Sequence, residues 1–394
     1  MRRVVVTGMG MVTPLGNTLA STWAALKEGR SGVGPIRRFD ATDFPVTFAA
    51  EVELPSEVDE GQLKLELTAR ALDEALRMSG RPDPDFLGVC VGSEAARPAL
   101  EVIGRRHRFA ELPSQQELER AAPDAPTRYV ADLLCAQGPA TTISTACTSS
   151  SQAVGEGLLR IRRGQVDAMV VGGVDVLVNP VMVTGFSLLG ALSTRNDDPR
   201  AASRPFDSNR DGFVLGEGAG FLVLEELESA LARGAEPLVE LSGFGCSCNA
   251  YRITDSPPDG RGAAQAMAAA VQDAGIHASQ VGYINAHGTS TAMNDASESR
   301  GVKRVFGDHR PAVSSTKSMM GHLVAACGAV EAIVTALAVR EGVLPPTINL
   351  DNPDPECDVE HVQHHARELA IDHALTNAFG FGGSNGSLLL SAYR

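Results

Sequence analysis

Two kinds of hydrophobic run alternate along the chain. Short apolar stretches, Val4-Val5-Val6, Ala168-Met169-Val170-Val171 and Val281 to Ile284, predict strands. Between them lie segments with helical spacing. Gly262 to Gly275 reads as an amphipathic helix. After Cys147, apolar Ala153, Val154, Leu158 and Ile161 predict a second helix, whose last turn holds Arg160, Arg162 and Arg163 and which Gly164 stops. This alternation predicts an α/β fold built in layers.

The pattern also repeats. Val4 to Val6 runs through Thr7 into Gly8-Met9-Gly10, and Val239 to Ser242 runs into Gly243-Phe244-Gly245 in the same form. Ile143-Ser144-Thr145-Ala146-Cys147 is a strand leading to a helix that ends near Arg163-Gly164. Ser314-Ser315-Thr316-Lys317-Ser318 leads to one ending near Arg340-Glu341-Gly342. Two correspondences about half a chain apart predict duplication of one α/β unit. The division falls in Arg233 to Pro237, giving halves of 1–235 and 236–394. The polar, alanine-rich stretch from Glu94 to Pro126 lacks a strand pattern and predicts a helical cap over about 94–130.

Composition narrows the function. The 394 residues suit two or three domain-sized units or one large duplicated fold, and 40 glycines without low-complexity runs indicate tight turns and close backbone contacts. A net charge of −14 argues against nucleic-acid binding, while leaving room for a local basic patch. The seven cysteines are scattered without a C-x-x-C pair, so a zinc ribbon is not expected, and Cys246 and Cys248 read as two small buried residues. No signal-peptide core and no run of ~18 apolar residues occurs, which predicts a reduced, cytoplasmic protein without a membrane span.

Four segments could carry chemistry. Cys147 follows a β-branched stretch and precedes a helix, where the helix dipole and free N–H groups favour a thiolate and could stabilise an oxyanion. For an arbitrary cysteine, a small buried packing residue is the commoner role. Asn285-Ala286-His287-Gly288-Thr289-Ser290-Thr291 follows a strand and places a histidine among hydroxyls. Ser314 to His322 precedes a helix with closely spaced alanines on which Glu331 lies. A buried Glu331 needs a partner, for which Lys317 is a candidate; otherwise Glu331 faces solvent. Asn377-Ala378-Phe379-Gly380-Phe381-Gly382-Gly383-Ser384-Asn385-Gly386 reads as a loop that brings backbone close to a ligand, or as a plain tight turn.

Together these segments resemble the elongating β-ketoacyl-acyl-carrier-protein synthases, especially the synthase II type. Thr145-Ala146-Cys147, Asn285 to Thr291, Ser314 to Met319 with Gly321-His322-Leu323, and Gly380-Phe381-Gly382-Gly383 match that family's signatures in order. Ser203-Arg204-Pro205-Phe206-Asp207, Arg210 to Val214, Gly216 to Gly220 and Pro345 to Asn349 match as well. The resemblance is dense from about Thr141 onward, returns at Val4 to Gly16, and is faint from about 50 to 135.

The resemblance implies a thiolase-like αβαβα fold and decarboxylative condensation of an acyl group with malonyl-acyl-carrier protein. It implies Cys147 as nucleophile and the N–H groups of Cys147 and Phe381 as oxyanion donors. His287 and His322 would donate to the malonyl thioester, with Lys317 and Glu331 orienting them. Thr289, Thr291, Gly380 and Gly382 are implied as supporting residues and Phe381 as a gate. The implied partners are acyl carrier protein and either a second copy or a chain-length-factor-like paralogue, with Thr141 to Thr145 at the interface. No metal or redox cofactor is implied.

Several positions depart from the synthase II pattern. Cys147-Thr148-Ser149 is closer to type II polyketide ketosynthases, Cys327 and Ser384 replace the usual residues, Gly190 stands where an arginine is common, and the basic stretch near 60–70 is reduced to Lys64 and Arg70.

Overall fold

The computed structural model describes residues 2–53, 62–95, 104, 106–108 and 110–394. Among these residues, eleven strands form one continuous sheet. They are β1 (Val4–Val12), β2 (Leu87–Ser93), β3 (Ala140–Ile143), β4 (Ala168–Asp175), β5 (Gly218–Glu226), β6 (Val239–Cys248), β7 (Val281–Asn285), β8 (Ala312–Ser314), β9 (Glu360–His361), β10 (His373–Phe379) and β11 (Ser384–Ser391). Their spatial order is β3-β2-β4-β5-β1-β6-β11-β10-β7-β8-β9.

The duplication is plain in that order, because β8-β7-β10-β11-β6 mirrors β3-β2-β4-β5-β1. In the first half β2 runs parallel to β3 and β4, and β5 is antiparallel to β4 and β1. In the second, β7 runs parallel to β8 and β10, and β11 is antiparallel to β10 and β6. The halves join where Val5 and Val6 of β1 lie opposite Glu240 and Val239 of β6.

Helices complete the layers: α1 (Leu63–Ser79), α2 (Gln115–Ala121), α3 (Ala125–Leu134), α4 (Ser149–Arg162), α5 (Pro180–Leu188), α6 (Arg261–Asp273), α7 (Ala292–Phe306) and α8 (Cys327–Glu341). Helices α1 and α3 cover the first half, α6 and α7 the second, and α4 and α8 lie between them. Helix α8 touches β4 and β5 on one side and β10 and β11 on the other. Every residue from Cys327 to Val339 is buried, as suits a helix that is apolar all round.

The repeated Gly-x-Gly has one physical purpose in both halves. A Cβ at Gly10 would lie 2.1 Å from the Ala71 carbonyl oxygen of α1, and one at Gly245 would lie 2.1 Å from that of Ala266 in α6. Each outer helix therefore rests its backbone directly on the strand beneath it, which only glycine permits.

Two details differ from the sequence reading. Cys246 and Cys248 are exposed, because residues two apart share a face of β6 and that face is open at the end of the strand. The helix expected straight after Lys317-Ser318 is a single turn, Lys317–Met320, broken at Gly321 with φ +69° before α8 begins. Within the predicted cap, α2 and α3 are helical, while 96–103, 105 and 109 lie outside the described residues. Among the described residues no helix is long and apolar enough to cross a membrane.

Candidate active site

The chemistry-bearing loops all leave the C-terminal ends of parallel strands, where open α/β sheets form their ligand crevices. Strand β3 leads to Cys147, β7 to His287, β8 to Lys317 and His322, and β10 to Phe381.

Cys147 sits in a one-turn 3-10 helix, Ala146–Thr148, that runs into α4. Ala146 is held at φ +53°, a left-handed conformation that costs free energy in a non-glycine residue. The Glu94 carboxylate accepts the Ala146 N–H at 2.8 Å and fixes that turn. Burial pushes the Cys147 thiol up to about 12; the Lys317 charge and the backbone N–H groups of Phe381 and Cys147 pull the other way.

His322 places Nε2 3.0 Å from Cys147 Sγ. Its Nδ1 accepts the Val324 N–H at 3.3 Å, so the neutral ring carries its proton on Nε2 and donates to the sulfur. The sulfur thus faces three N–H groups, two of them backbone. Burial holds both His287 and His322 well below the ordinary imidazole value of 6.5, and the Lys317 charge deepens the effect. Both rings are therefore neutral near pH 7.

The His287 loop hangs on acidic residues of α7. The Glu298 carboxylate accepts the N–H groups of His287 and Gly288 at 2.9 and 2.8 Å, and Asp295 accepts those of Thr289 and Ser290 at 2.9 and 3.1 Å. The imidazole lies 5.2 Å from that of His322, nearly perpendicular at 82°, with Phe379 on another side at 5.7 Å. The thiol and a nitrogen from each histidine all fall within 4.8 Å of one another. Such a soft set has the donors for zinc, but the Lys317 ammonium behind it opposes a cation.

Lys317 is fully buried and paired with Glu331, so Glu331 does not face solvent. Burial alone would push the Lys317 ammonium down, and the Glu331 carboxylate holds it above its ordinary range instead. Nearby in the sheet, Asn285 and Thr376 face each other across β7 and β10, and both side chains are buried without hydrogen-bond partners among the described residues. These oxygens are where the chain could hold a buried water or a hard cation.

The Phe381 loop rests on the Cys147 turn. A Cβ at Gly380 would lie 3.1 Å from the Thr145 carbonyl oxygen and 3.4 Å from Cys147 N. Gly382 adopts φ +85° and donates its N–H to the Ile253 carbonyl at 2.6 Å. A cavity of about 330 Å³ gathers Cys147, His287, His322, Thr289, Thr291, Gly380 and Phe381 on its walls, with Gly190 beside the exposed Leu189 at its rim. Lys317, Glu331 and Gly382 do not line it; Lys317 acts on both histidines from behind. Lys64 is buried, its ammonium bonded to the Glu94 carbonyl and 3.9 Å from Asp175, while Arg70 pairs with Glu66 on α1.

Sequence reading passed over Glu94, Asp295 and Glu298. The signal available was a pair of acids one turn apart on α7, directly after the histidine loop. On a surface helix such a pair reads as a solvated face, yet both are buried here.

Comparison with known proteins places this geometry. Family models described as the β-ketoacyl synthase N-terminal and C-terminal domains match residues 1–230 and 238–351. A 3-oxoacyl-[acyl-carrier-protein] synthase 2 of Synechocystis is 43% identical, over 100% of this chain and 99% of its own. That of Vibrio harveyi is 45% identical over 98% of each. Among solved structures, a type II polyketide ketosynthase in complex with its acyl-carrier protein superposes with a TM-score of 0.91 at 32% identity. The ishigamide ketosynthase/chain length factor gives 0.91 at 34%; in both cases the match covers 100% of each chain.

Proposed function

The chain belongs to the β-ketoacyl synthase family, and from that premise we propose that it condenses an acyl thioester on Cys147 with malonyl-acyl-carrier protein to give β-ketoacyl-carrier protein. In the first step the Cys147 sulfur attacks the acyl carbon. A carbon–sulfur bond to Cys147 forms, the bond to the carrier arm breaks, and the carrier thiol leaves with the proton that Cys147 gave up. The oxyanion formed on the way is met by the N–H groups of Cys147 and Phe381.

In the second step the malonyl carbon–carboxylate bond breaks and CO2 departs. The electron pair is held as an enolate whose oxygen takes hydrogen bonds from His287 and His322. The enolate carbon attacks the Cys147 thioester, the product leaves on its carrier, and Cys147 is released as a thiolate that takes one proton from solvent to restore the thiol. Neutral histidines with N–H groups facing the cavity suit this role, because the enolate needs donors rather than a base. Lys317, paired with Glu331, keeps the rings neutral and eases loss of the Cys147 proton as the sulfur attacks. Thr289 and Thr291, whose hydroxyls lie 2.9 Å apart in the wall, support the substrate arm. Phe381 swings between loading and malonyl states, with Gly380 and Gly382 as its hinges. The chemistry needs no redox cofactor or metal, since thiol, imidazoles and N–H groups supply every step.

The observation that carries this reading is His322 Nε2 at 3.0 Å from Cys147 Sγ, inside the cavity that His287 and Phe381 also line. The division into a nucleophile-bearing half, 1–235, and a histidine-bearing half, 236–394, belongs to the same reading, as does a cytoplasmic location beside a soluble carrier. The decisive variant is Cys147→Ala, followed by intact-protein mass after incubation with an acyl-carrier protein. Wild type should gain one acyl group and the variant none, and a persistent adduct on the variant would remove Cys147 from its role.

A second reading has support of its own. Cys147-Thr148-Ser149 and the likeness to the polyketide ketosynthases favour a polyketide substrate and a chain-length-factor-like partner. Offering saturated acyl-carrier and poly-β-ketoacyl-carrier proteins side by side separates the two. Fatty-acid elongation predicts turnover of the saturated chain, and the polyketide reading predicts preference for the unreduced one.

A further inference from the structure

Residues that no step above uses hold the Phe381 loop to the nucleophile turn. Gln152, on the first turns of α4, donates Nε2 to Ser384 Oγ at 2.7 Å and accepts from Thr145 Oγ1 on its Oε1 at 3.2 Å. Thr148 Oγ1 lies 3.0 Å from Ser384 Oγ and 2.8 Å from the Thr145 carbonyl oxygen. Ser384 in turn accepts the Gly380 N–H on its carbonyl at 2.7 Å. Four side chains therefore close a ring across the gap between the Cys147 turn and the Gly380–Gly383 loop. On its far side the loop is held by Gly382 N–H to the Ile253 carbonyl, and by Asn249 N–H and the Asn385 side-chain amide, both to the Gly383 carbonyl.

The two N–H groups that act on the Cys147 sulfur come from the two sides of this ring, one from Cys147 and one from Phe381. Their separation is set by whatever ties the sides together, and an oxyanion hole works only when both donors sit at hydrogen-bond distance from one oxygen. Thr148 and Ser384 are two of the positions where this chain departs from the synthase II pattern, and here they contact each other. We propose that Ser384, clasped by Gln152 and Thr148, is a positioning residue that fixes the Phe381 N–H against the Cys147 N–H and so sets the rate of acyl transfer to Cys147. None of the three side chains need touch the reacting atoms; they act through the backbone of Gly380 and Phe381.

This rests on the assignment of Cys147 as acyl acceptor, and the test separates the two. The purified full chain is reacted with the N-acetylcysteamine thioester of hexanoic acid and, separately, with iodoacetamide. The thioester passes through an oxyanion and iodoacetamide does not, while both require the same thiolate. Ser384→Ala should slow hexanoylation about tenfold or more through kcat, with KM and the rate of alkylation within twofold of wild type. Ser384→Thr, which keeps the hydroxyl, should recover most of the loss. Gln152→Ala should behave like Ser384→Ala, and the double variant should be no worse than either. Hexanoylation of Ser384→Ala at the wild-type rate would overturn the proposal. So would equal losses in hexanoylation and alkylation, the mark of a merely structural role. Wild type that is alkylated but never hexanoylated at Cys147 would contradict the acyl-acceptor assignment itself and the clasp with it.

Discussion

At the scale of single residues, the account turns on which groups are charged. A buried ammonium beside two buried imidazoles makes their protonation unfavourable, and both are held well below 6.5. Malonyl decarboxylation should therefore show no inflection near pH 6.5; an acid limb there that vanishes in His287→Ala or His322→Ala would contradict the neutral assignment. Folding stability should behave oppositely. Below 6.5 the unfolded chain protonates these histidines while the native one does not, so stability falls as the pH drops through that value and is regained above it. Urea midpoints at pH 5.5 and 7.5, in wild type and in a double His→Ala variant, would read that difference. The histidines should also separate by step. His287→Ala should lose decarboxylation by about a hundredfold or more and self-acylation far less, because loading needs only a thiolate and its two N–H donors. Near wild-type decarboxylation of malonyl-carrier protein by this variant would refute its role.

At the scale of elements, much of this arrangement was legible because local rules and the fold agree. The strand patterns of β1, β4, β6 and β7 and the helix patterns of α4 and α6 are found within a few residues of where the hydrophobic spacing puts them. The Gly-x-Gly repeat was visible as a repeat, but its purpose, seating α1 and α6 on their strands, appears only when the helices are in place. The acids of α7 were hidden for the converse reason: besides Asn377, Asn294 and Arg210, their partners are backbone N–H groups, which leave no mark in the sequence. Cys246 and Cys248 were misjudged because residue size says nothing about which face of a strand stays covered. The Lys317–Glu331 pair joins the turn after β8 to α8 in the fully buried layer. Glu331→Ala leaves an unpaired buried ammonium and should cost about 3–5 kcal/mol. Lys317→Met combined with Glu331→Leu should cost clearly less in stability while abolishing activity. Equal destabilisation by single and double variants would show that packing, not charge, dominates there.

At the scale of the whole molecule, one feature of the duplicated sheet is unfinished. One end of the strand order is β3, whose outer edge has no partner strand among the described residues and which carries Thr141, Thr142 and Ile143. Unpaired edges of this kind invite pairing with another chain. The edge lies four residues before Cys147, so a partner there would brace the nucleophile turn. Light scattering should find a species of twice 41.3 kDa, and Thr142→Pro, which removes a ladder donor, should weaken the dimer and activity together. A fully active monomer would refute the interface. The central claim, that one sulfur both receives the acyl chain and hands it to a decarboxylated malonyl unit, has a direct measurement. Acyl-loaded enzyme, freed of donor, is mixed with malonyl-carrier protein while the Cys147 peptide mass, the carrier mass and released CO2 are followed together. The account predicts that each acyl group lost from Cys147 appears on one carrier as a β-ketoacyl chain with one CO2 released. An acyl group that stays on Cys147 while CO2 is released, or a carrier product that retains the malonyl carboxylate, would contradict it.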